Sequence, residues 1–344
     1  MAGERNAEAV ERVTVAIPVR DGGPALARTL RSLSRQTVQH ELLVCDSGSR
    51  DGSLQLARTH GARVIEIAPP EFSHGGTRNL LMGEAAGTHV ALLTQDAEPA
   101  DERWLERLLD GFSLAADVGI VYGSYRAQPG ASLAVRLELE RWFGSLAPDG
   151  DPAVERLDRS ERCGNPLALM GRRGFFTDAN AGVLREAWER VPFRAVPYAE
   201  DRVLALDMLR SGYAKAYVPG AAVLHSHDYT LVEEVRRSFD EWRALREVYG
   251  WREPASPASV LRSLRGELGH ARRNLEQEGV RSPHRLPALA SVGRRSAAKR
   301  IGAILGSRAD RVPEFLRRIL SLERRGGFTP LGLGEDRERI EEPH

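Results

Sequence analysis

The sequence predicts an α/β protein, a mainly parallel sheet flanked by helices, that ends in a basic helical extension. Three observations predict it. From Val13 onward, short β-branched runs alternate with amphipathic segments, as strands do when they pack between helices. Two of those runs, ELLVCD and THVALLTQD, end on an acid, at the strand ends where open α/β sheets collect their ligands. Charge is also segregated: residues 1–250 carry 30 basic and 36 acidic side chains, −6, whereas residues 251–344 carry 19 and 12, +7.

The 344 residues fit about two domains, or one large domain with an appendage, at roughly 150 residues each. A hydrophobic fraction of 42% with 28% charged residues excludes a disordered chain. An overall charge of +1 supplies no field for nucleic acid, and no nucleic-acid partner is expected. The start MAGERNAEAVERV is charged where a signal peptide needs an apolar run, and no 18-residue apolar stretch occurs. These features predict a cytoplasmic protein, soluble or peripheral on the inner face of the membrane. Cys45 and Cys163 lack CxxC spacing, suit a reducing compartment, and read as small buried hydrophobes.

VTVAIPV is the first strand. GPALARTLRSLSRQ follows with Leu26, Leu30 and Leu33 at helical spacing, then come the strand ELLVCD and the short helix DGSLQLARTHG. RVIEIA, GGTRNLLMGEAAG and THVALLTQD complete a βαβαβαβ order. Beyond it lie a helix over 104–112, the strand GIVYGSYR, a helix over 131–143 with alternating Arg and Glu, and a charged loop over 148–166. AYVPGAAVLHSHDY reads as two strand pieces around a Pro-Gly turn, and 232–249 as an amphipathic helix. Residues 252–325 form two or three Arg-rich helices split at Ser282-Pro283, and 335–344 an acidic, frayed tail.

Four groups sit at strand ends. In CDSGSRDGS, Asp46 leaves a strand and Asp51 precedes a helix, positions that also suit ordinary turn and capping chemistry. FSHGGTRN offers the glycine N–H groups of a helix start, with His74 and Arg78 as further donors, an arrangement suited to phosphate. LLTQDAEP delivers Asp96, which can hold a hard divalent cation or, with Glu98, simply open the next helix. In YAEDRVLALDMLRSG, Glu200 and Asp201 open a helix, so one carboxylate can face a cleft as a general base. His225 and His227 alternate along a strand and should point to opposite faces, so at most one joins the site. No GxGxxG follows the first strand, and neither GxxxxGK[ST] nor GxSxG occurs, which removes dinucleotide, P-loop and nucleophile-elbow chemistry. A metal-assisted diphosphate site with a separate acid/base carboxylate remains, which fits group transfer from a nucleotide.

In that order, AIPVRDGGPALARTLRSLSRQ, VCDSGSRDGS, FSHGGTRN, TQDA, AED and AAVLHSH resemble the inverting family 2 glycosyltransferases of GT-A fold. FSHGGTRN, TQDA and VLHSHDYT are similar to the bacterial rhamnosyltransferase branch. The resemblance covers residues 13–250 and continues weakly through KRIGAILGSRADRVPEFLRRILS. It implies a lead over 1–12, a catalytic domain over 13–250 with a nucleotide-binding half (13–126) and an acceptor half (127–250), a basic extension over 251–330 and a tail over 331–344.

By position, the resemblance implies that Asp46 reads the donor's pyrimidine beside Pro18 and Arg20. Asp51, His74, Gly76, Arg78, Asn79 and Gln95 surround the ribose and diphosphate. Asp96 takes the last place of the family's DxD motif, and Thr94 stands where many members carry the first Asp, so one carboxylate holds Mg²⁺ or Mn²⁺ with help from His225 or His227. Asp201 is the implied base and Glu200 its supporting neighbour. In FTDANAGVLREAWERVPF, Asp178 and Asn180 would meet the acceptor, and Trp188 fills the core. The implied reaction moves a sugar, L-rhamnose from thymidine-diphosphate rhamnose or a hexose from a uridine-diphosphate donor, onto a glycan or lipid-linked glycan of the cell envelope. A nucleotidyltransferase and a non-catalytic membrane-peripheral protein are the competing readings. The Arg-rich extension suits an anionic membrane surface or, equally, any solvated helix face.

Overall fold

A computed structural model describes residues 12–328 together with 330 and 331. The lead over 1–11 and the acidic tail from 335 onward lie outside them. The first half follows the expected alternation: β1 (Val13–Val19), α1 (Gly23–Leu33), β2 (Glu41–Asp46), α2 (Ser53–Thr59), β3 (Arg63–Glu66), α3 (His74–Glu84) and β4 (His89–Leu93). The second half contains β5 (Glu98–Pro99), α4 (Trp104–Asp110), β6 (Val118–Arg126), α5 (Leu133–Leu146), β7 (Ala153–Glu155), α6 (Arg159–Arg162), β8 (Asn180–Leu184), α7 (Arg185–Arg190), α8 (Glu200–Arg210) and β9 (Ala214–Leu224). Four helices follow: α9 (Leu231–Tyr249), α10 (Pro257–Gln277), α11 (Ser282–Gly306) and α12 (Glu314–Leu320).

One sheet runs β3-β2-β1-β4-β8-β6-β9-β5, with β7 added on β9. The four N-terminal strands pair in parallel, as does β6 with β9, whereas β8 is antiparallel to both its neighbours. Both faces are covered, so successive residues of β1 enter different cores. Val15 and Ile17 pack with Leu26, Leu30 and Trp104 on one side, and Ala16 packs with Leu81, Leu204 and Met208 on the other. Asn180 begins β8, fully buried. It accepts from Trp104 Nε1 at 2.9 Å and donates to the carbonyls of Ser124 and Ala221 at 3.1 and 2.8 Å.

Two expectations are corrected. Pro219-Gly220 does not separate two strands: β9 runs through it, and the register against β6 slips between Gly123/Tyr125 and Val218/Val223. A proline, which cannot donate to the ladder, is accommodated at such an irregularity, where its carbonyl accepts from Ser124 Oγ at 2.8 Å. Cys163 is exposed and only Cys45 is buried, because Cys163 caps the short α6 in a charged loop.

The basic segment is three helices, and Ser282-Pro283 opens the second of them. α11 lies against α9 through Gly302 and Gly306. A Cβ on either would fall inside contact distance of the Val235 or Phe239 carbonyl oxygen. This backbone approach fixes the extension to the sheet-bearing part of the chain. No helix among the described residues is long and apolar enough to cross a membrane.

Gly306→Val should therefore destabilise the fold by about 1–3 kcal/mol, the usual range for overpacking. Gly266→Ala, in α10 with open space around it, should stabilise by about 0.5–1 kcal/mol. Urea unfolding of the two variants beside the parent chain measures both.

Candidate active site

A cavity of about 500 Å³ opens beyond the carboxyl ends of the central strands. On one side stands Asp96, in the turn after β4. His225 Nδ1 lies 3.5 Å from Asp96 Oδ1, and His227 Nε2 lies 3.3 Å from Asp96 Oδ2. The donor atoms of all three residues fall within 4.8 Å of one another. Both histidines thus reach one point, against the expectation of opposite faces: β9 ends at Leu224, and the alternation of a strand no longer governs residues 225 and 227. Burial lowers the His225 pKa, which favours the neutral imidazole that ligates metals. Thr94 lines the same cavity, its buried Oγ1 without a hydrogen-bond partner among the described residues.

Across the cavity lies a buried charge cluster. Arg78, on α3, is 3% exposed and grips Asp178 through Nη2–Oδ1 at 2.7 Å and a second Nε–Oδ2 contact. Its Nη1 stands 3.5 Å from Glu200 Oε1, and His74 Nδ1 stands 3.8 Å from the same oxygen. Arg78 therefore neutralises carboxylates instead of standing free for a diphosphate. Next to them, Asp201 opens α8 and accepts from the N–H of Arg202 at 2.7 Å. Burial, reinforced by the charge of Asp178, pushes Asp201 up to about 7. Asp178 is also pushed up to about 7 by burial, against the pull of Arg78. Ala199, just before the acid pair, is held in the left-handed region at φ 61° and ψ 33°.

The remaining predicted residues form a neighbouring group of loops at the ends of β1, β2 and β4. Asp46 Oδ1 accepts from the N–H groups of Gly48 and Ser49, both at 2.9 Å, while Oδ2 is buried without a hydrogen-bond partner among the described residues. Pro18 lies beside Cys45 in the β1/β2 register, and Arg20 is exposed. Gln95 brackets the Arg20 backbone, accepting from its N–H at 2.9 Å and donating to its carbonyl at 3.1 Å. Asp51 accepts from Gly23 N–H at 2.8 Å and so ties α2 to α1.

Three side chains or backbone groups are committed elsewhere. The Gly76 N–H donates to Ser73 Oγ, which caps α3. Asn79 donates to the Phe193 carbonyl and accepts from Phe193 N–H and from Trp188 Nε1, so it holds the loop after α7 in place of a nucleotide, and Trp188 packs on the core. Asn180, expected near the acceptor, has its amide fully occupied inside the sheet.

Two further parts of the site carry no signal in the sequence. Residues 321–325 clasp α9: buried Asp240 accepts from Ser321 Oγ at 3.0 Å and Leu322 N–H at 2.8 Å. Arg325 donates to the Pro197 carbonyl at 2.6 Å and lies over the Tyr198 ring, bracing the loop that carries Glu200 and Asp201. Glu323 lines the cavity, as do Glu138, Arg295 and Lys299 from α5 and α11. In the sequence, alternating Arg and Glu on these helices is indistinguishable from a solvated face.

A carboxyl raised by folding keeps a proton that the unfolded chain has already released. Native stability should therefore fall as pH rises from the unfolded value near 4 to about 7. Asp201→Asn removes that part of the dependence. Thermal melts should find the variant close to the parent chain at pH 4 and more stable than it at pH 8.

Residues 14–189 match glycosyl transferase family 2. The chain is 31% identical over 237 residues to the O-antigen chain rhamnosyltransferase WbaN of Salmonella anatum, covering 66% of this chain and 70% of that protein. It is 28% identical over 239 residues to the N-acetylglucosaminyl-diphospho-decaprenol L-rhamnosyltransferase of Mycobacterium tuberculosis, covering 59% and 72%. Among solved structures it resembles the mannosyltransferase PcManGT of Pyrobaculum calidifontis, solved with GDP-Man and Mn²⁺. That match has 17% identity and a TM-score of 0.52 and covers 86% of this chain and 88% of that one.

Proposed function

The chain belongs to glycosyl transferase family 2, and we propose that it transfers L-rhamnose from a pyrimidine nucleoside diphosphate to a hydroxyl of a glycan or lipid-linked glycan, inverting the anomeric carbon. Its fold is GT-A and it is a glycosyltransferase. The observation that carries the mechanism is the placement of Asp201 and of the Asp96, His225, His227 group around one cavity. The rhamnosyl choice rests on what the Salmonella and mycobacterial relatives are named for. Asp46 Oδ2, buried without a hydrogen-bond partner among the described residues, supports a pyrimidine, whose ring N–H would satisfy it.

In this reading Asp201 takes the proton from the acceptor hydroxyl as that oxygen forms its bond to the anomeric carbon. The bond from that carbon to the diphosphate oxygen breaks, and its electron pair leaves with the nucleoside diphosphate. A base held near pH 7 is well matched to this task. Glu200 and Asp178 are held by Arg78, which keeps their charge from crowding Asp201 further. Asp201→Asn should lower transfer by about 10²- to 10⁴-fold, the usual worth of general-base help. Assays of nucleoside diphosphate release check it, and near-normal transfer, or pyrophosphate as the product, overturns it.

Asp96, His225 and His227 fit a divalent cation: their donors converge at 3.3–3.5 Å from carboxylate to imidazole, and Thr94 Oγ1, without a hydrogen-bond partner among the described residues, lies in the same cavity. A cation held there would neutralise charge developing on the leaving diphosphate. Two imidazoles beside one carboxylate suit Mn²⁺ better than Mg²⁺, because the transition-metal ion accepts nitrogen donors that Mg²⁺, an oxygen-seeking ion, takes reluctantly. With thymidine diphosphate present, Mn²⁺ at about a hundred times its Kd should stabilise the chain by about 2.7 kcal/mol. In thermal-shift measurements His227→Ala should need more Mn²⁺ for the same rise, and equal responses of the two proteins remove His227 from the ligand set.

A cytoplasmic protein that touches the anionic inner face of the membrane completes the reading. α12 supports it by exposing Phe315 and Ile319, at 64% and 56%, although Arg295 and Arg300 of α11 are tied to Glu234 and Glu253. Because α11 is welded to α9, point changes are cleaner than truncation. Phe315→Asp with Ile319→Asp should abolish flotation with anionic liposomes, and unchanged flotation excludes α12 as the contact.

A further inference from the structure

The cavity has a second wall that the reaction at Asp201 does not use. α5, α9 and α11 supply it with Glu138, Glu234, Arg295 and Lys299. Arg295 lies 2.8 Å from Glu234 and 3.6 Å from Glu138, and Lys299 pairs with Glu138. Glu138 and Lys299 keep 35% and 32% of their side chains exposed, whereas Glu234 is 3% exposed behind them. Two acids and two bases cancel. Val135 and Leu139, one turn apart on α5, and Tyr229 lie beside the quartet.

This composition selects a ligand class. A phosphate or carboxylate would have to displace Glu138 from Lys299 and then sit beside it, a like charge left unpaired. Glu241, on the same cavity, adds to the repulsion, while Glu323 is paired with Arg325 at 3.1 Å and Arg237 offsets part of the remaining charge. A polyhydroxyl ring meets no such penalty: a hydroxyl donates to Glu138 while accepting from Lys299 or Arg295, and its C–H face covers the half-buried Leu139. The wall also shares the cavity with Asp201, so a ring held there can present a hydroxyl to the base.

We propose that this wall is the acceptor subsite and that it takes an uncharged sugar residue, not a uronic acid or a phosphorylated sugar. The proposal rests on the glycosyltransferase reading and adds the acceptor's chemical class and the residues that hold it. It also gives the C-terminal extension a part in substrate choice, through Arg295 and Lys299.

Saturation-transfer NMR on the full chain with thymidine diphosphate and Mn²⁺ tests it. The probes are methyl α-L-rhamnopyranoside and methyl α-D-mannopyranoside, set against glucose 6-phosphate and glucuronate. The neutral glycosides should bind saturably and the anionic sugars should not. Glu138→Gln and Lys299→Met should each weaken neutral-glycoside binding by about ten-fold, the size of one lost hydrogen bond to a charged group. Thymidine diphosphate affinity, measured by calorimetry on the same samples, should stay unchanged and so certify folded variants. Anionic sugars binding as well as neutral ones, no saturable binding by either glycoside, or undiminished binding by both variants overturns the subsite. Failure of the unaltered chain to bind thymidine diphosphate would instead count against the donor reading.

Discussion

The buried guanidinium of Arg78 is the interaction on which the site depends. Asp178, Glu200 and Asp201 converge on a region from which water is largely excluded, and three carboxylates there would repel one another strongly. Arg78 reaches two of them directly. Its own charge is held by those partners even though burial opposes it. The result is a division of labour: two acids are tied into a structural pair with the cation, and the third, which accepts from an N–H at the start of its own helix, faces the cavity. α3 supplies Arg78, the segment before β8 supplies Asp178, and α8 supplies the acid pair, so one ion cluster stitches together three distant stretches of chain.

The N-terminal half of the fold was legible because its strands are buried on both faces and its helices carry regular apolar spacing, signals that depend only on local sequence. β8 was not: NAGVL is small and short, and what makes it a strand is its place between β4 and β6, with Asn180 bridging to Trp104 and two carbonyls. Of the acids read at strand ends, Asp96 follows β4, whereas Asp201 stands in the first turn of α8 after α7 and a loop, and both line one cavity. His225 and His227 converge because β9 ends at Leu224, so strand alternation does not reach them. Asn79 and Asn180 illustrate a different limit. A motif gives a residue's position, but whether its amide is free for a ligand depends on partners more than forty residues away along the chain.

The C-terminal helices show the same limit on a larger scale. Their positive excess reads as a surface property, yet α11 approaches α9 backbone to backbone at Gly302 and Gly306 and turns Arg295 and Lys299 toward acids on α9 and α5. Part of the local excess of cations is thus matched by acids from the preceding 250 residues. Opposite net charges of the two parts are what such an intramolecular fit looks like when only composition is counted.

The clasp at Asp240 carries an implication for how such a chain can diversify. Because Arg325 braces Tyr198, the final helices and the loop bearing the acid pair behave as one mechanical unit despite their separation along the chain. Exchanging the tail for another relative's, by recombination or by an engineer seeking new specificity, would loosen the segment that carries Glu200 and Asp201. Inheritance of the two pieces should therefore be joint, and chimaeras joined near residue 250 start with a handicap that no adjustment of the nucleotide side repairs.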